Sequence, residues 1–345
     1  MTEAFKRFLD LSEQDRRDVF EAAASRLDTL PTYVEKDFWV CLALDHLYNR
    51  LPDGHPSLLF KGGTSLSKAF GLIRRFSEDI DLVVDRDKLG FEGDRDPTLP
   101  GHLSNKNRKA LFEELQAACS GYIIGDLSDA LEKLIAGMVD GCRVIPDEDD
   151  ADKQTLLIEY PTLYPSPEVA YLLPRVKIEA GARSALVPNK ACAITPYIAD
   201  ELPDWSLRVE KITAITPERT YWEKLLILHG AHCGYRDGKP RDRDRVSRHY
   251  YDVAMITASQ TGSAALGDHE LLDAVREHNL IAFRQAWKRF EEAVPGSIRV
   301  VPQPELRKVI EDDYAAMQGM ILGDAPEFDW IMEQLALAES AINRG

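Results

Sequence analysis

Apolar residues recur at helical spacing near the start of the chain, through Val19, Phe20, Ala23, Ala24 and Leu27. The pattern predicts a helix opened by Ser12, with Asp15 standing where a capping box usually has Glu or Gln. Pro31 suits the first turn of a second helix, whose apolar positions run through Val34, Phe38, Leu42 and Leu47 before Pro52, Gly54 and Pro56 end it. The pattern then shortens. Leu58-Leu59-Phe60 has the look of a buried strand, followed by the turn Lys61-Gly62-Gly63-Thr64-Ser65, a helix through Lys68 and Phe70, and a strand from Ile80 to Val84. Residues 104 to 139 read as mostly helical. Strands are expected at 142 to 145, 155 to 160 and 175 to 180, the last because Val176 and Ile178 alternate with Lys177 and Glu179.

The character changes after about residue 208. Thr216-Pro217-Glu218 predicts a helix start, with threonine at the N-cap, proline at N1 and an acid in the first turn. From there the chain reads as helix, broken at Gly234 to Arg245 and near Pro295 to Pro304. These patterns predict an α+β half over residues 1–208 and a mostly helical half over 209–345, packed closely enough to share a site. A length of 345 residues fits two domains with ample core.

Composition narrows the function classes. The chain is 44% hydrophobic and 29% charged, ordinary for a globular protein, and has no apolar run long enough to cross a bilayer. Its first residues lead into an amphipathic segment and not an apolar stretch, so no secretion signal is expected and the chain reads as cytoplasmic. Five scattered cysteines with no Cys-x-x-Cys spacing predict idle thiols, not a disulfide framework or a zinc site. The net charge of −16 argues against a protein that simply coats nucleic acid. Any nucleic acid would have to meet a local basic patch.

The candidate chemistry lies between Phe60 and Leu82. Asp79 and Asp81 alternate along a strand, which puts both carboxylates on one face ~7 Å apart, with Ile80 and Leu82 directed into the core. Two fixed carboxylates form a hard oxygen site suited to Mg²⁺ or Mn²⁺, which would bridge a triphosphate during in-line displacement at phosphorus. The Gly62-Gly63 turn lets backbone N–H groups approach phosphate oxygens. Thr64 and Ser65 would add hydroxyl donors there, and Lys61 and Lys68 are candidate charge partners. Asp-x-Asp alone or Gly-Gly alone is more often structural; the two together, in strand–turn–helix–strand order, carry a stronger signal.

Other features have bland readings beside the sharp ones. Pro146 to Asp150 is an acidic run that reads as a solvated loop in preference to a metal site. His229, His232 and Cys233 share one helical turn, and structural roles are favoured over metal binding. The loop from Gly234 to Arg245 alternates bases with acids and is either a clamp on an RNA backbone or a self-paired surface.

The block Lys61 to Lys68 with Arg75 to Leu82 resembles the AbiEii/AbiGii nucleotidyltransferase toxins of abortive-infection and toxin–antitoxin systems. Val34-Glu35-Lys36-Asp37-Phe38-Trp39-Val40 is similar to that family's leading helix. Trp222-Glu223-Lys224-Leu225 and Arg248-His249-Tyr250-Tyr251-Asp252-Val253 follow in the expected order. The resemblance covers about residues 30 to 255. It implies a nucleotidyltransferase-like N-terminal domain, a mixed sheet flanked by helices, with a helical C-terminal domain contributing to the active site. It implies a nucleotidyltransferase that takes a nucleoside triphosphate (NTP) as substrate. Asp79 and Asp81 would hold the metal, with Glu179 as a third acid; the other reading of Glu179 is a solvated face shared with Lys177. Gly62, Gly63, Thr64, Ser65 and Lys224 would hold the nucleotide. Asp252 would act as a base or orienting group; an ion pair with Arg248 is its structural reading. The implied acceptor is RNA, in particular tRNA 3′ ends, and the implied partner a cognate antitoxin, with no membrane. The alternatives are the same chemistry on a protein or a cationic small molecule such as an aminoglycoside, or a non-catalytic nucleotide-binding module.

Overall fold

The computed structural model describes residues 3–101, 103–135, 138–165, 173–238 and 245–344. The chain separates into two units. The first comprises Met1–Ala69, Phe76–Pro97 and Leu103–Ala214; the second comprises Phe70–Arg75, Thr98–His102 and Ile215–Gly345.

The first unit is built on a mixed sheet of seven strands: β1 (Leu58–Lys61), β2 (Asp79–Val84), β3 (Arg143–Pro146), β4 (Thr155–Glu159), β5 (Arg175–Gly181), β6 (Asn189–Ile194) and β7 (Val209–Ile215). Their order across the sheet is β3-β4-β5-β2-β1-β7-β6. β2 runs antiparallel to β1 and parallel to β5, and β1 runs parallel to β7. Helices α1 (Glu3–Leu9), α2 (Glu13–Leu27), α3 (Pro31–Asn49), α4 (Gly62–Lys68), α5 (Asn105–Tyr122) and α6 (Ser128–Ile135) complete it. Phe5, Phe8, Phe20 and Phe38 interlock in the core, ring to ring, joining α1, α2 and α3. This aromatic cluster supplies large buried area and fixes α3, whose own polar residues matter below.

The α+β class holds, and the strands expected at 58, 80, 142, 155 and 175 are all present. Two strands escaped the sequence reading. β6 leaves most of its residues exposed or half-buried and so lacks a clean apolar alternation. β7 lies beyond the boundary expected at 208, yet it is the parallel neighbour of β1. The expected capping box at Ser12 is half made. Ser12 Oγ accepts from the Asp15 N–H at 3.1 Å, but its own hydroxyl donates to the Asp15 carboxylate at 2.7 Å.

The second unit is helical: α7 (Pro217–Arg236), α8 (Ser247–Thr257), α9 (Gln260–Leu266), α10 (His269–Ala282), α11 (Pro304–Met317) and α12 (Phe328–Arg344). Pro217 does open α7, but the Thr216 hydroxyl makes no cap hydrogen bond, so proline alone marks that start. Tyr221, Trp222, Tyr250 and Tyr251 are fully buried and make up much of this core. Among the described residues, no helix is long and apolar enough to cross a membrane.

Candidate active site

In the sheet unit, β1 turns directly into α4 at Gly62. Gly62 has φ of +78°, a conformation that costs a side-chain-bearing residue strain. A Cβ there would stand 2.0 Å from Oδ2 of Asp81. Glycine is thus required twice: for the turn, and because the Asp81 carboxylate packs against its backbone. Thr64 and Ser65 are both buried. The Thr64 hydroxyl donates to the Asp79 carbonyl at 2.5 Å, and the Ser65 hydroxyl donates to the Gly62 carbonyl at 3.0 Å. The Thr64 bond ties the turn to β2 and the Ser65 bond closes the turn on itself. The backbone N–H groups are further donors of the turn.

Asp79 and Asp81 lie on the half-buried face of β2, while Ile80 and Leu82 fill the core on the other face, as expected. The parallel register sets Asp79 beside Lys177 and Asp81 beside Glu179, so all four side chains share a face. Burial raises the Asp79 pKa, and the negative charges of Glu78, Glu179 and Asp81 raise it further, to about 6. Glu179 stands beside Asp81 in the register, and its carboxylate pairs with Lys177 Nζ at 2.6 Å, which is the solvated-face reading of this residue. Among the described residues, no three His, Cys, Asp or Glu side chains are arranged around a common metal position. The donor set nonetheless fits a hard divalent cation. It is all carboxylate oxygen, and its mutual repulsion is the kind that a cation relieves.

Lys68 is corrected. It is buried, pairs with Asp37 Oδ1 at 2.6 Å and lies over the Tyr197 ring at 3.7 Å, so it is a strut and not a charge partner for substrate. It belongs to an array that sequence reasoning passed over. Glu35, Lys36 and Asp37 are consecutive, charged and almost wholly buried on α3. Glu35 accepts from the Leu163 N–H at 2.8 Å and the Thr162 hydroxyl at 2.6 Å. Lys36 pairs with Glu78, next to Asp79, and Asp37 holds the end of α4 through Lys68. Buried charges are tolerated only when paired. Three in a row in an aromatic helix is the signal that could have revealed the array.

In the helical unit, Asp252 is 0% exposed and Lys224 is 6% exposed. Asp252 accepts a bidentate pair from Arg75, Nε to Oδ1 at 2.7 Å and Nη2 to Oδ2 at 2.8 Å, and Lys224 Nζ lies 2.9 Å from the same Oδ2. Arg75 replaces Arg248 as the partner, because its planar guanidinium matches both carboxylate oxygens. Burial alone would raise the Asp252 pKa, but Arg75 and Lys224 outweigh it and hold the carboxyl far below its usual range. Such a group does not accept a proton at neutral pH, which disfavours the base role. Burial lowers the Lys224 pKa, with Asp252 opposing and Arg75 adding to the fall. Lys224 also donates to Nδ1 of His249 at 3.4 Å; burial and the Lys224 charge push the His249 pKa well down, so the ring is neutral.

The remaining candidates are structural. His229 Nδ1 accepts from the Arg299 N–H at 3.0 Å, and its Nε2 lies 3.2 Å from the Arg289 carbonyl, so both nitrogens are committed. His232 Nδ1 lies 3.0 Å from the Val301 carbonyl. In the acidic run, Asp150 accepts from the Gln154 N–H and the Thr155 hydroxyl, which closes the β3–β4 turn on itself. Of the loop expected as an RNA clamp, residues 239–244 lie outside the described residues. Arg236 is paired with Asp237 and Glu292.

A family model described as nucleotidyl transferase AbiEii toxin, type IV TA system, matches residues 45–334. No curated protein matches the chain. Among solved structures, MenT4, a nucleotidyltransferase toxin from Mycobacterium tuberculosis H37Rv, is similar at 17% identity and a TM-score of 0.44, over 96% of this chain and 98% of that one.

Proposed function

The chain belongs to the AbiEii family of nucleotidyltransferase toxins of type IV toxin–antitoxin systems, and from that premise we propose that it transfers a nucleotide from an NTP to RNA, in particular to tRNA 3′ ends. The observation that carries the reading is the contact of Asp81 with Gly62. It makes the glycine turn and the carboxylate strand one rigid structure, as a site that binds triphosphate and metal together requires.

Asp79 and Asp81, with Glu179 as the third acid, would hold Mg²⁺ or Mn²⁺, which would supply charge neutralisation at the transferring phosphate. Gly62 and Gly63 present backbone N–H groups to the phosphates, in a turn that Thr64 and Ser65 hold in shape. Lys224 supplies a fixed positive charge for the triphosphate, aimed by Asp252. The acceptor hydroxyl oxygen forms the new bond to the α-phosphorus, the bond from that phosphorus to the β-phosphate bridge breaks, and pyrophosphate leaves. The hydroxyl proton does not go to Asp252, which the two cations keep ionised. Catalysis is positioning and electrostatic stabilisation, as phosphoryl-type transfer generally demands. The setting we propose is the cytoplasm, with growth arrest in abortive infection relieved by a cognate antitoxin.

The test is incubation with Mg²⁺, each α-phosphate-labelled NTP in turn and total bacterial RNA, beside Asp79→Ala. Label entering tRNA with the wild type alone is the expected result. Label entering protein or an added aminoglycoside would replace the acceptor, and no label anywhere would overturn the reading.

A further inference from the structure

The carboxylate face of the sheet contains its own cation. Lys177 stands in register with Asp79 on the neighbouring strand, and its ammonium sits 2.6 Å from Glu179 Oε1 and 3.9 Å from Asp147 Oδ2. A protonated amine with three donors satisfies carboxylate oxygens in much the way a metal ion does.

We propose that Lys177 is a built-in competitor for the divalent cation, occupying Glu179 until metal arrives and so setting the metal concentration at which the site loads. The inference rests on the proposed metal role of Asp79, Asp81 and Glu179, and it deepens that reading. Two observations make the exchange physically cheap. The ion pair is half-exposed on both sides, with side-chain exposures of 35% and 43%, and such pairs contribute little to stability. A second acceptor is also in place, since Asp147 already lies near the ammonium and can keep it when Glu179 turns away. Asp147 follows β3 directly and its N–H is bonded to the Thr155 carbonyl on β4, so the sheet holds this alternative partner in position. An ordinary surface pair would show neither the register with Asp79 nor the waiting carboxylate.

The test is Mn²⁺ binding to the full chain without nucleotide, read as free ion by electron paramagnetic resonance. Lys177→Met removes a positive charge and frees Glu179, so it is expected to bind Mn²⁺ about five- to tenfold more tightly than the wild type. Lys177→Gln gives the same direction in a fully polar side chain and guards against misfolding. Lys177→Arg, which keeps the charge, is expected to stay within about twofold of the wild type. In the double variant Lys177→Met with Glu179→Gln, the gain is expected to vanish. Unchanged or weaker binding in both Lys177→Met and Lys177→Gln overturns the inference while leaving the metal site intact. Absence of Mn²⁺ binding in every chain overturns the inference together with the metal reading.

Discussion

Asp79 and Asp252 are chemically the same side chain in opposite circumstances. Asp79 stands among Glu78, Glu179 and Asp81, and burial plus that repulsion raises its pKa to about 6. Asp252 is more deeply buried, yet Arg75 and Lys224 hold it ionised throughout the ordinary pH range. The first cluster carries surplus negative charge and suits an arriving cation. The second is compensated within the protein and aims a lysine. Burial alone therefore does not predict a carboxylate's role; the sign of what surrounds it does.

The largest expected effects are on turnover. If Asp79 and Asp81 hold the metal as proposed, Asp79→Ala and Asp81→Ala should each lower nucleotide transfer by roughly a thousandfold or more while the fold remains. Circular dichroism run beside the transfer assay checks both halves. If the fold is lost in both variants, the carboxylates are structural.

Stability should move in opposite directions at the two acids. Asp252→Asn leaves Arg75 and Lys224 without their carboxylate and should cost about 3–5 kcal/mol. Asp79→Asn relieves repulsion and should stabilise the metal-free protein by roughly 1 kcal/mol. Chemical denaturation of the two variants checks this, and equal shifts of the same sign would collapse the comparison. Gly62→Ala comes next. The positive φ and the 2.0 Å approach to Asp81 together should cost about 2–3 kcal/mol, and transfer should fall with the displaced carboxylate.

These residues also show what the sequence could and could not reveal. Alternation in Asp79-Ile80-Asp81-Leu82 placed two acids on one face, and the structure agrees, because period two follows from strand geometry alone. The Gly62 turn was equally legible, since few residues other than glycine tolerate its backbone. Arg75 was not legible as the partner of Asp252, because that pairing joins residues 177 positions apart. Lys68 and Thr64 carried the right chemistry for phosphate, but long-range partners, Asp37 and the Asp79 carbonyl, claimed them. β7 was lost for a related reason. It adjoins β1 only through a pairing that no local pattern encodes.

A pH dependence is expected as well. His46, His229 and His249 are buried, and desolvation lowers the pKa of each, to about 4 for His46. A depressed folded pKa gives stability that is full above the unfolded value of about 6.5 and is lost as pH falls, because the unfolded chain takes up protons that the folded chain refuses. Their contribution to stability should therefore fall from about pH 6.5 downward, by at most ~1.4 kcal/mol per pH unit for each histidine, while Asp79, whose raised folded pKa of about 6 acts with the opposite sign, offsets part of the fall. His249→Gln should flatten part of that slope, and an unchanged slope would mean that the ring beside Lys224 is not held neutral.

The most direct measurement is Mn²⁺ binding and nucleotide transfer on the same preparations of wild type, Asp79→Ala and Lys224→Met. The account predicts that Asp79→Ala loses both, whereas Lys224→Met binds Mn²⁺ as the wild type does and still fails to transfer. Loss of Mn²⁺ binding in Lys224→Met, or its retention in Asp79→Ala, would contradict the assignment of the metal to the sheet carboxylates and of the triphosphate to the buried lysine.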